Sequence, residues 1–359
     1  MAVDALEPKA ATPVRVTYLE YLAHRSFADV IATRPNFTLT RIDRATPKDD
    51  ANAILGETHI FQIPATRSDV QARYRANAAL FALAPRLLVV SSSGAGYDTI
   101  DLSDCTRAGV LAVNQTGGNR EAVAEHALAM MLCLSKRIPQ IDRAMRRAAI
   151  DDRTLFMGND VMGKTIGIIG LGAIGTRLAE ICRGIFAMTV HAYDPLLSPA
   201  EIVARGGVPT TLDTLLGSSD FVSLHCPLSD ETRGMIGARA FALMQPNAYF
   251  ITTARGGVHD EDALAAALAS GTIAGAGLDV WSSEPPPTDH PLLAFDNVIA
   301  SAHTAGVTHE ARHAIATMAA KQIFDLVDGK RAPRLLNPEA WDTFAARFTR
   351  TFGCAPTGS

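Results

Sequence analysis

The sequence predicts an α/β protein of parallel sheets in two domains, and three observations carry that expectation. Ile166, Ile168 and Ile169 form a β-branched run, as a strand buried on both faces requires, and Gly170, Gly172 and Gly175 follow it in G-x-G-x-x-G spacing. Short strand-like and helix-like segments alternate both before and after this run, the pattern of β/α units with a parallel sheet. Between the two alternating regions, Asn119 to Lys136 reads as one long helix with an apolar stripe at Ala122, Val123, Ala127, Leu128, Met131 and Leu132, placed to link two domains.

In the first region, Val14 to Leu19, Thr38 to Ile42, Ile60 to Ile63, Leu87 to Ser91 and Val110 to Val113 read as strands. Helices are expected over Ser26 to Thr33, Ser68 to Ala84 and Asp101 to Ala108. The loop Ser92-Ser93-Gly94-Ala95-Gly96-Tyr97-Asp98 follows a buried strand directly. Ligands of open α/β sheets bind beyond the carboxyl ends of strands, so this loop is either a backbone carboxylate site or a plain turn. The basic stretch Arg137 to Arg147 reads as a solvated helical face.

The glycine turn has a defined chemistry. Gly170 turns the chain sharply, Gly172 lets a pyrophosphate approach the main chain, and Gly175 lets the next helix lie close to the strand. That helix, about Thr176 to Ile185, points its free N–H groups and positive dipole end at the phosphates, with Ala173 and Ile174 inside the turn. Val190 to Tyr193 reads as the following strand, and Asp194 ends it, 194 − 175 = 19 residues past the last glycine. A carboxylate there accepts from a ribose 2′-hydroxyl and repels a 2′-phosphate, which favours NAD over NADP.

Further strands are expected over Phe221 to His225, closed by Cys226-Pro227, and over Ala248 to Thr253, ending at Ala254-Arg255-Gly256-Gly257. A helix over Asp260 to Ser270 precedes strands at Gly275 to Val280 and Val298 to Ala302. In a doubly wound sheet Arg255, Asp279 and His303 then converge on the cofactor's edge. A helix from Thr308 to Asp328 carries the chain back to the first domain, and Arg331 to Ser359 reads as a closing element with a frayed tail.

Composition narrows the function classes. The 359 residues, 48% hydrophobic and 19% charged, match a soluble protein of about two domains. A net charge of −4 argues against nucleic-acid and anionic-membrane partners. The five cysteines lie scattered without a C-x-x-C pair, so neither a disulfide framework nor a metal site is expected and a reducing, cytoplasmic compartment fits. No apolar run reaches the ~18 residues that span a bilayer, and Met1 to Pro13 carries Asp4 and Glu7 where a secretory signal is basic and then apolar.

Several segments taken together resemble the D-isomer-specific 2-hydroxyacid dehydrogenase family over roughly Leu87 to Asp328. They are Gly94 to Asp98, Asn119 with Ala122 to Glu125, Gly163 into Gly175, His225-Cys226-Pro227, Thr253 to Gly256, Leu278 to Val280 with Glu284-Pro285, and His303 before Ala305-Gly306. The resemblance implies two Rossmann/flavodoxin-like, doubly wound domains with a cleft between them. It implies a substrate domain from residues 1–118 and 308–359, an NAD-binding domain from 119–307, and a homodimer formed through the latter. It also implies that NAD(H) exchanges a hydride with a small 2-keto or 2-hydroxy acid. Arg255 then binds the substrate carboxylate, His303 is the acid/base, and Glu284 holds the imidazole. Gly94, Ala95 and Gly96 complete the carboxylate site, and His225, Cys226, Pro227, Thr253, Ala254 and Asp279 flank the cofactor.

Elementary chemistry agrees with these roles. Arginine offers a planar, permanently charged fork to a carboxylate, histidine titrates near neutrality, and a neighbouring glutamate favours the imidazolium. Three positions depart from the family pattern. Ala302 stands where proline usually precedes the histidine, Asn114-Gln115-Thr116-Gly117 replaces Asn-x-Pro-Gly, and Ala95 stands where the phosphite-oxidising branch has lysine. Glu284 itself separates the chain from the formate-oxidising branch, which has glutamine there. With about thirty residues after Asp328, no appended regulatory domain is expected there. Arg120 is a candidate for a second polar group on the substrate. The competing reading is a dinucleotide-sensing, corepressor-like protein with little turnover; enzymes of the L-alanine or adenosylhomocysteine type share the glycine turn but not Arg255, Glu284 and His303.

Overall fold

The structure, a computed structural model, describes residues 12–358. Of Met1 to Pro13, all but Thr12 and Pro13 lies outside the described residues. The chain divides into two compact units, one built from the residues up to Asn119 together with those from His309 onward, the other from Arg120–Thr308.

Unit 1 begins with β1 (Val14–Leu19), α1 (Ser26–Ile31), β2 (Phe37–Ile42), α2 (Lys48–Glu57), β3 (Ile60–Ile63), α3 (Ala78–Leu83), β4 (Val89–Ser92), α4 (Leu102–Ala108) and β5 (Leu111–Val113). The five strands run parallel in the order β2-β1-β3-β4-β5, which is the flavodoxin-like winding. Successive side chains of a strand face opposite ways, so Val89 and Val90, or Leu111 and Ala112, enter two different cores. On one side α2, α3 and α4 cover Phe61, Ile63 and Val90.

The expected helix over Ser68 to Ala84 is a correction. The chain there makes two 3₁₀ turns, Arg67–Asp69 and Ala72–Tyr74, and only then α3. Tyr74 is drawn into the core, and Ala76 pairs with the neighbouring loop, its N–H donating to Thr99 O and its carbonyl accepting from Asp101. Asn77 then caps α3 by accepting the N–H groups of Ala79 and Leu80, which fixes the helix start one residue later. Tertiary pairing of the backbone overrides the helical pattern.

Unit 2 opens with α5 (Arg120–Ser135) and α6 (Ile138–Met145). Then come β6 (Thr165–Ile169), α7 (Ala173–Phe186), β7 (Thr189–Tyr193), α8 (Pro199–Ala204), β8 (Val208–Pro209), α9 (Leu212–Ser218), β9 (Phe221–Leu224) and α10 (Ala238–Leu243). The unit closes with β10 (Tyr249–Thr252), α11 (Glu261–Ala269), β11 (Gly275–Leu278) and β12 (Val298–Ala300). All seven strands are parallel in the order β12-β11-β10-β9-β6-β7-β8, so the winding reverses between β6 and β9. Ile166 and Ile168 pack under α5 and α7, while Ile169, Val222 and Phe250 pack under α9, α10 and α11. Thus α5 does more than join two regions: Ala124, Ala127, Met130 and Leu134 belong to the core of unit 2.

The chain returns to unit 1 with α12 (His309–Val327) and α13 (Trp341–Phe352). The expected closing element is a packed helix. Trp341, Phe344 and Phe348 repeat at helical spacing and are buried with Ala319, Ile323 and Leu326 against β1, β4 and β5. Asn337 hooks the edge strand, accepting from Ala112 N–H at 2.8 Å and donating to Val110 O at 2.9 Å. Arg347 donates to the carbonyls of Pro85, Leu87 and Ala108. Among the described residues no helix is long and apolar enough to cross a membrane.

If α13 is part of the unit 1 core, Phe344→Ala should destabilise that unit by about 3–5 kcal/mol, the usual result of emptying a buried aromatic site. Urea denaturation followed by circular dichroism measures this; a loss below about 1 kcal/mol would show that the helix is peripheral.

Candidate active site

The site begins where β6 ends. Gly170 has φ +90°, and a Cβ on it would sit 2.8 Å from Cys226 N. A Cβ on Gly175 would lie 2.2 Å from Gly170 O, so only glycine lets α7 start against the turn. Gly172 differs, because a Cβ there meets nothing within 4 Å. The open space beside Gly172 adjoins the N–H groups of Gly172, Ala173 and Ile174, which have no hydrogen-bond partner among the described residues. Unfilled amides at a fourteen-residue helix's positive end fit a pyrophosphate.

Leu171, between the first two glycines, is held at both ends. Its N–H donates to Asp194 Oδ2 at 2.9 Å, and its carbonyl accepts from Arg205 Nη1 at 2.7 Å and Thr176 Oγ1 at 3.1 Å. Asp194 Oδ1 accepts from Leu196 N–H at 3.0 Å. A carboxylate has about four acceptor positions, so this anchoring leaves Asp194 capacity for ribose hydroxyls. Arg205 is a contributor that the sequence pattern did not indicate.

Across the winding reversal, His225 follows β9 and donates its backbone N–H to Ile169 O at 2.8 Å. Its ring lies between Ser223 Oγ at 2.8 Å from Nε2 and Thr253 Oγ1 at 3.4 Å from Nδ1. Desolvation pushes the His225 pKa down to about 4, so the imidazole is neutral at physiological pH. Burial pushes the thiol of Cys226 up to about 11, which leaves it protonated beside the glycine turn, with Pro227 after it.

The next strand ends carry charge. Thr253 and Ala254 are buried beyond β10, and Arg255 donates from Nη1 to Ala254 O at 2.7 Å. A Cβ on Gly256 would stand 1.9 Å from Trp281 O, so this glycine sets the contact between the arginine loop and the loop after β11. That second loop carries Glu284, whose Oε1 accepts from Trp281 N–H at 3.1 Å. Glu284 Oε2 lies 2.8 Å from His303 Nδ1. Burial alone would raise the Glu284 pKa, but the hydrogen bond and charge of His303, the Trp281 N–H and the charge of Arg255 together outweigh it and hold the carboxyl below its ordinary value. With Nδ1–H committed to a carboxylate, Nε2 is the imidazole nitrogen that remains for chemistry.

His303 itself has φ +54°, and its N–H donates to Asp279 O at 2.7 Å. The expected edge therefore forms: Arg255, Asp279 and His303 follow the adjacent strands β10, β11 and β12, with Glu284 between the last two. The Asp279 side chain is 1% exposed and accepts from Ser301, Thr304 and Ala305.

Gly94, Ala95 and Gly96 belong to unit 1. Gly94 N–H is 3.3 Å from Ser92 Oγ, whereas the N–H groups of Ala95 and Gly96 have no partner among the described residues. The carbonyls of Gly94 and Ala95 accept from Gln115 N–H and Asn114 Nδ2, so the two residues before the departure at Thr116 anchor this loop. Arg120 is 56% exposed and pairs with Glu121 at 3.1 Å.

The family description "D-isomer specific 2-hydroxyacid dehydrogenase, NAD binding domain" matches residues 128–305. The D-3-phosphoglycerate dehydrogenase of Archaeoglobus fulgidus is 38% identical over 260 residues, 72% of this chain and 49% of that protein. The chain thus spans about half the length of that relative. The glyoxylate reductase of Korarchaeum cryptofilum is 38% identical over 266 residues, 73% of this chain and 80% of that protein. The crystal structure of D-lactate dehydrogenase from Aquifex aeolicus with NAD and lactic acid superposes with a TM-score of 0.74 at 28% identity, covering 88% of this chain and 96% of that one. A strand-edge arginine, a Glu–His pair and a glycine turn over free helix amides, set beside these likenesses, identify the chain as a member of the D-isomer specific 2-hydroxyacid dehydrogenase family.

Proposed function

We propose that this protein interconverts a small 2-keto acid and its D-2-hydroxy acid with NAD(H), and that the contact of 2.8 Å between His303 and Glu284 is the observation that carries the reading. The dinucleotide supplies or takes up a hydride at carbon 2 of the substrate. In the reducing direction Arg255 grips the carboxylate as a fork and its charge draws electron density toward the carbonyl oxygen. His303 gives its Nε2 proton to that oxygen as the hydride arrives. Glu284 keeps Nδ1–H oriented and stabilises the imidazolium before the transfer. Asp279 is the proposed neighbour of the nicotinamide. His225, neutral, adds no charge beside the proposed dinucleotide site.

We extend the proposal to a homodimer formed through unit 2, because Ile138, Met145, Leu155 and Met157 are large apolar side chains exposed on α6 and the segment after it. Five free cysteines fit a reducing, cytoplasmic setting.

Purified protein should oxidise NADH with at least one member of a panel of small 2-keto acids. NADH binding without turnover on any of them would return the chain to the class of dinucleotide sensors. Sedimentation velocity on the same sample should give a dimer; a monomer refutes the proposed α6 interface.

Cofactor choice should follow Asp194. Asp194→Ala should weaken NADH and narrow the gap to NADPH, as read from kcat/KM for each; a wild-type preference for NADPH contradicts the role given to this carboxylate.

The acid/base pair should be visible in pH profiles. Glu284, with its pKa lowered, is ionised throughout the neutral range, so Glu284→Gln removes a charge that favours the imidazolium. The alkaline limb of keto-acid reduction should therefore move to lower pH. Oxidation of the hydroxy acid needs the neutral ring, and its acidic limb should move in the same direction. His303→Gln should lower the rate by about 10²–10⁴ while NADH still binds. Unmoved limbs, or near-wild-type turnover in His303→Gln, would assign the proton to another group.

A further inference from the structure

Asp279 carries an arrangement that hydride transfer and proton donation leave unexplained. Its Oδ1 accepts from Ser301 Oγ at 2.5 Å and from Thr304 N–H at 2.8 Å, and its Oδ2 accepts from Ala305 N–H at 3.0 Å. Its backbone carbonyl takes the His303 N–H at 2.7 Å. One buried residue thus ties down the loop on both sides of His303. That loop needs tying, because a histidine at φ +54° keeps this conformation only when its surroundings over-determine it. In place of the usual proline before the histidine the chain has Ala302, which restricts the backbone much less.

Ser301 Oγ has a second neighbour, Nε2 of His126 on α5, at 2.9 Å. A hydroxyl has one proton, and both carboxylate oxygens of Asp279 already act as acceptors for the loop N–H groups, so the Ser301 proton points to Oδ1 of Asp279. The bond to His126 must then run from the ring N–H to the hydroxyl oxygen. His126 is 28% exposed, and its Nε2 stands 3.9 Å from Asp279 Oδ1. The result is a directed chain, His126 N–H to Ser301 O–H to Asp279 carboxylate, with the loop amides on the carboxylate's other positions.

We infer that His126 is a positioning residue for His303, acting through Ser301 and Asp279; the inference rests on the acid/base role proposed for His303. A hydroxyl engaged through its proton alone keeps more rotational freedom than one whose lone pair is engaged as well. The His126 N–H engages the lone pair and so aims the Ser301 proton at Asp279, which keeps Thr304 and Ala305 docked and the His303 ring in register with Glu284. The role requires a donor at the Nε2 position and not a positive charge.

Full-length His126→Leu and His126→Gln provide the test, because Gln places an N–H donor where Nε2 stands and Leu does not. Under conditions where chemistry limits the rate, kcat for keto-acid reduction should fall about 100-fold in His126→Leu, as a displaced reacting group implies, and recover most of that loss in His126→Gln. The Kd for NADH, from fluorescence titration, should stay at the wild-type value in both. Ser301→Ala should reproduce the loss and Ser301→Thr, which keeps the hydroxyl, should not; this second pair decides the question if His126→Leu fails to fold. Wild-type kcat in His126→Leu and Ser301→Ala, equal losses in His126→Leu and His126→Gln, or a loss of NADH binding in parallel with kcat would overturn the inference. A wild-type chain with no turnover on any keto acid fails differently: it overturns the proposed activity, and this inference with it.

Discussion

Helices cover both faces of the seven-stranded sheet, and that burial is the constraint from which the site follows. A strand closed in on both sides has nowhere to present a polar group except at its ends. The carboxyl ends of β6, β7, β9, β10, β11 and β12 accordingly carry the glycine turn, Asp194, His225, Arg255, Asp279 and His303. Parallel pairing puts all these ends on one edge, and the reversal of winding between β6 and β9 opens that edge where the turn lies. Residues spread over more than a hundred positions in sequence become neighbours because of sheet order.

Much of the fold was legible in the sequence wherever one local rule decided the outcome. Ile60 to Ile63, or Phe221 to Leu224, form strands because a short apolar run between turn residues has little else to do. Misreadings occurred where distant parts of the chain decided. Ser68 to Ala84 carries a helical pattern, but Ala76 finds a better partner in Thr99 and Asp101, and Asn77 restarts the helix. The spacing of Trp341, Phe344 and Phe348 was visible, yet the Pro, Gly and Arg residues around it masked an amphipathic helix that completes the unit 1 core. The helices α2, α8, α9 and α10 are short and weakly patterned, and they take their places as connections that parallel strands require.

The site divides in the same way. The glycine turn and the strand-end residues Arg255, Asp279 and His303 could be named from spacing, because their chemistry and their position coincide. What could not be read is how they are held. Nothing near Ser301 marks its hydroxyl as a bridge between two elements, and His126 lies on a helix whose pattern speaks only of packing. Arg205, thirty-four residues from the carbonyl it contacts, belongs to the same category. Supporting groups are chosen by three-dimensional proximity, and single-sequence patterns carry almost no information about pairs so far apart.

Gly172 differs from the glycines on either side of it in what enforces it. Gly170 and Gly175 are held to glycine by the chain's own backbone, whereas a methyl group at 172 would encounter only open space. The fold therefore places no demand on position 172, and any demand comes from the molecule that fills the space. For protein engineers this separates two kinds of tolerance at a turn of six residues. A thermal-stability screen should register damage at 170 and 175 and remain blind at 172, so a library filtered on stability alone would accumulate well-folded chains in which the open space beside the turn is filled.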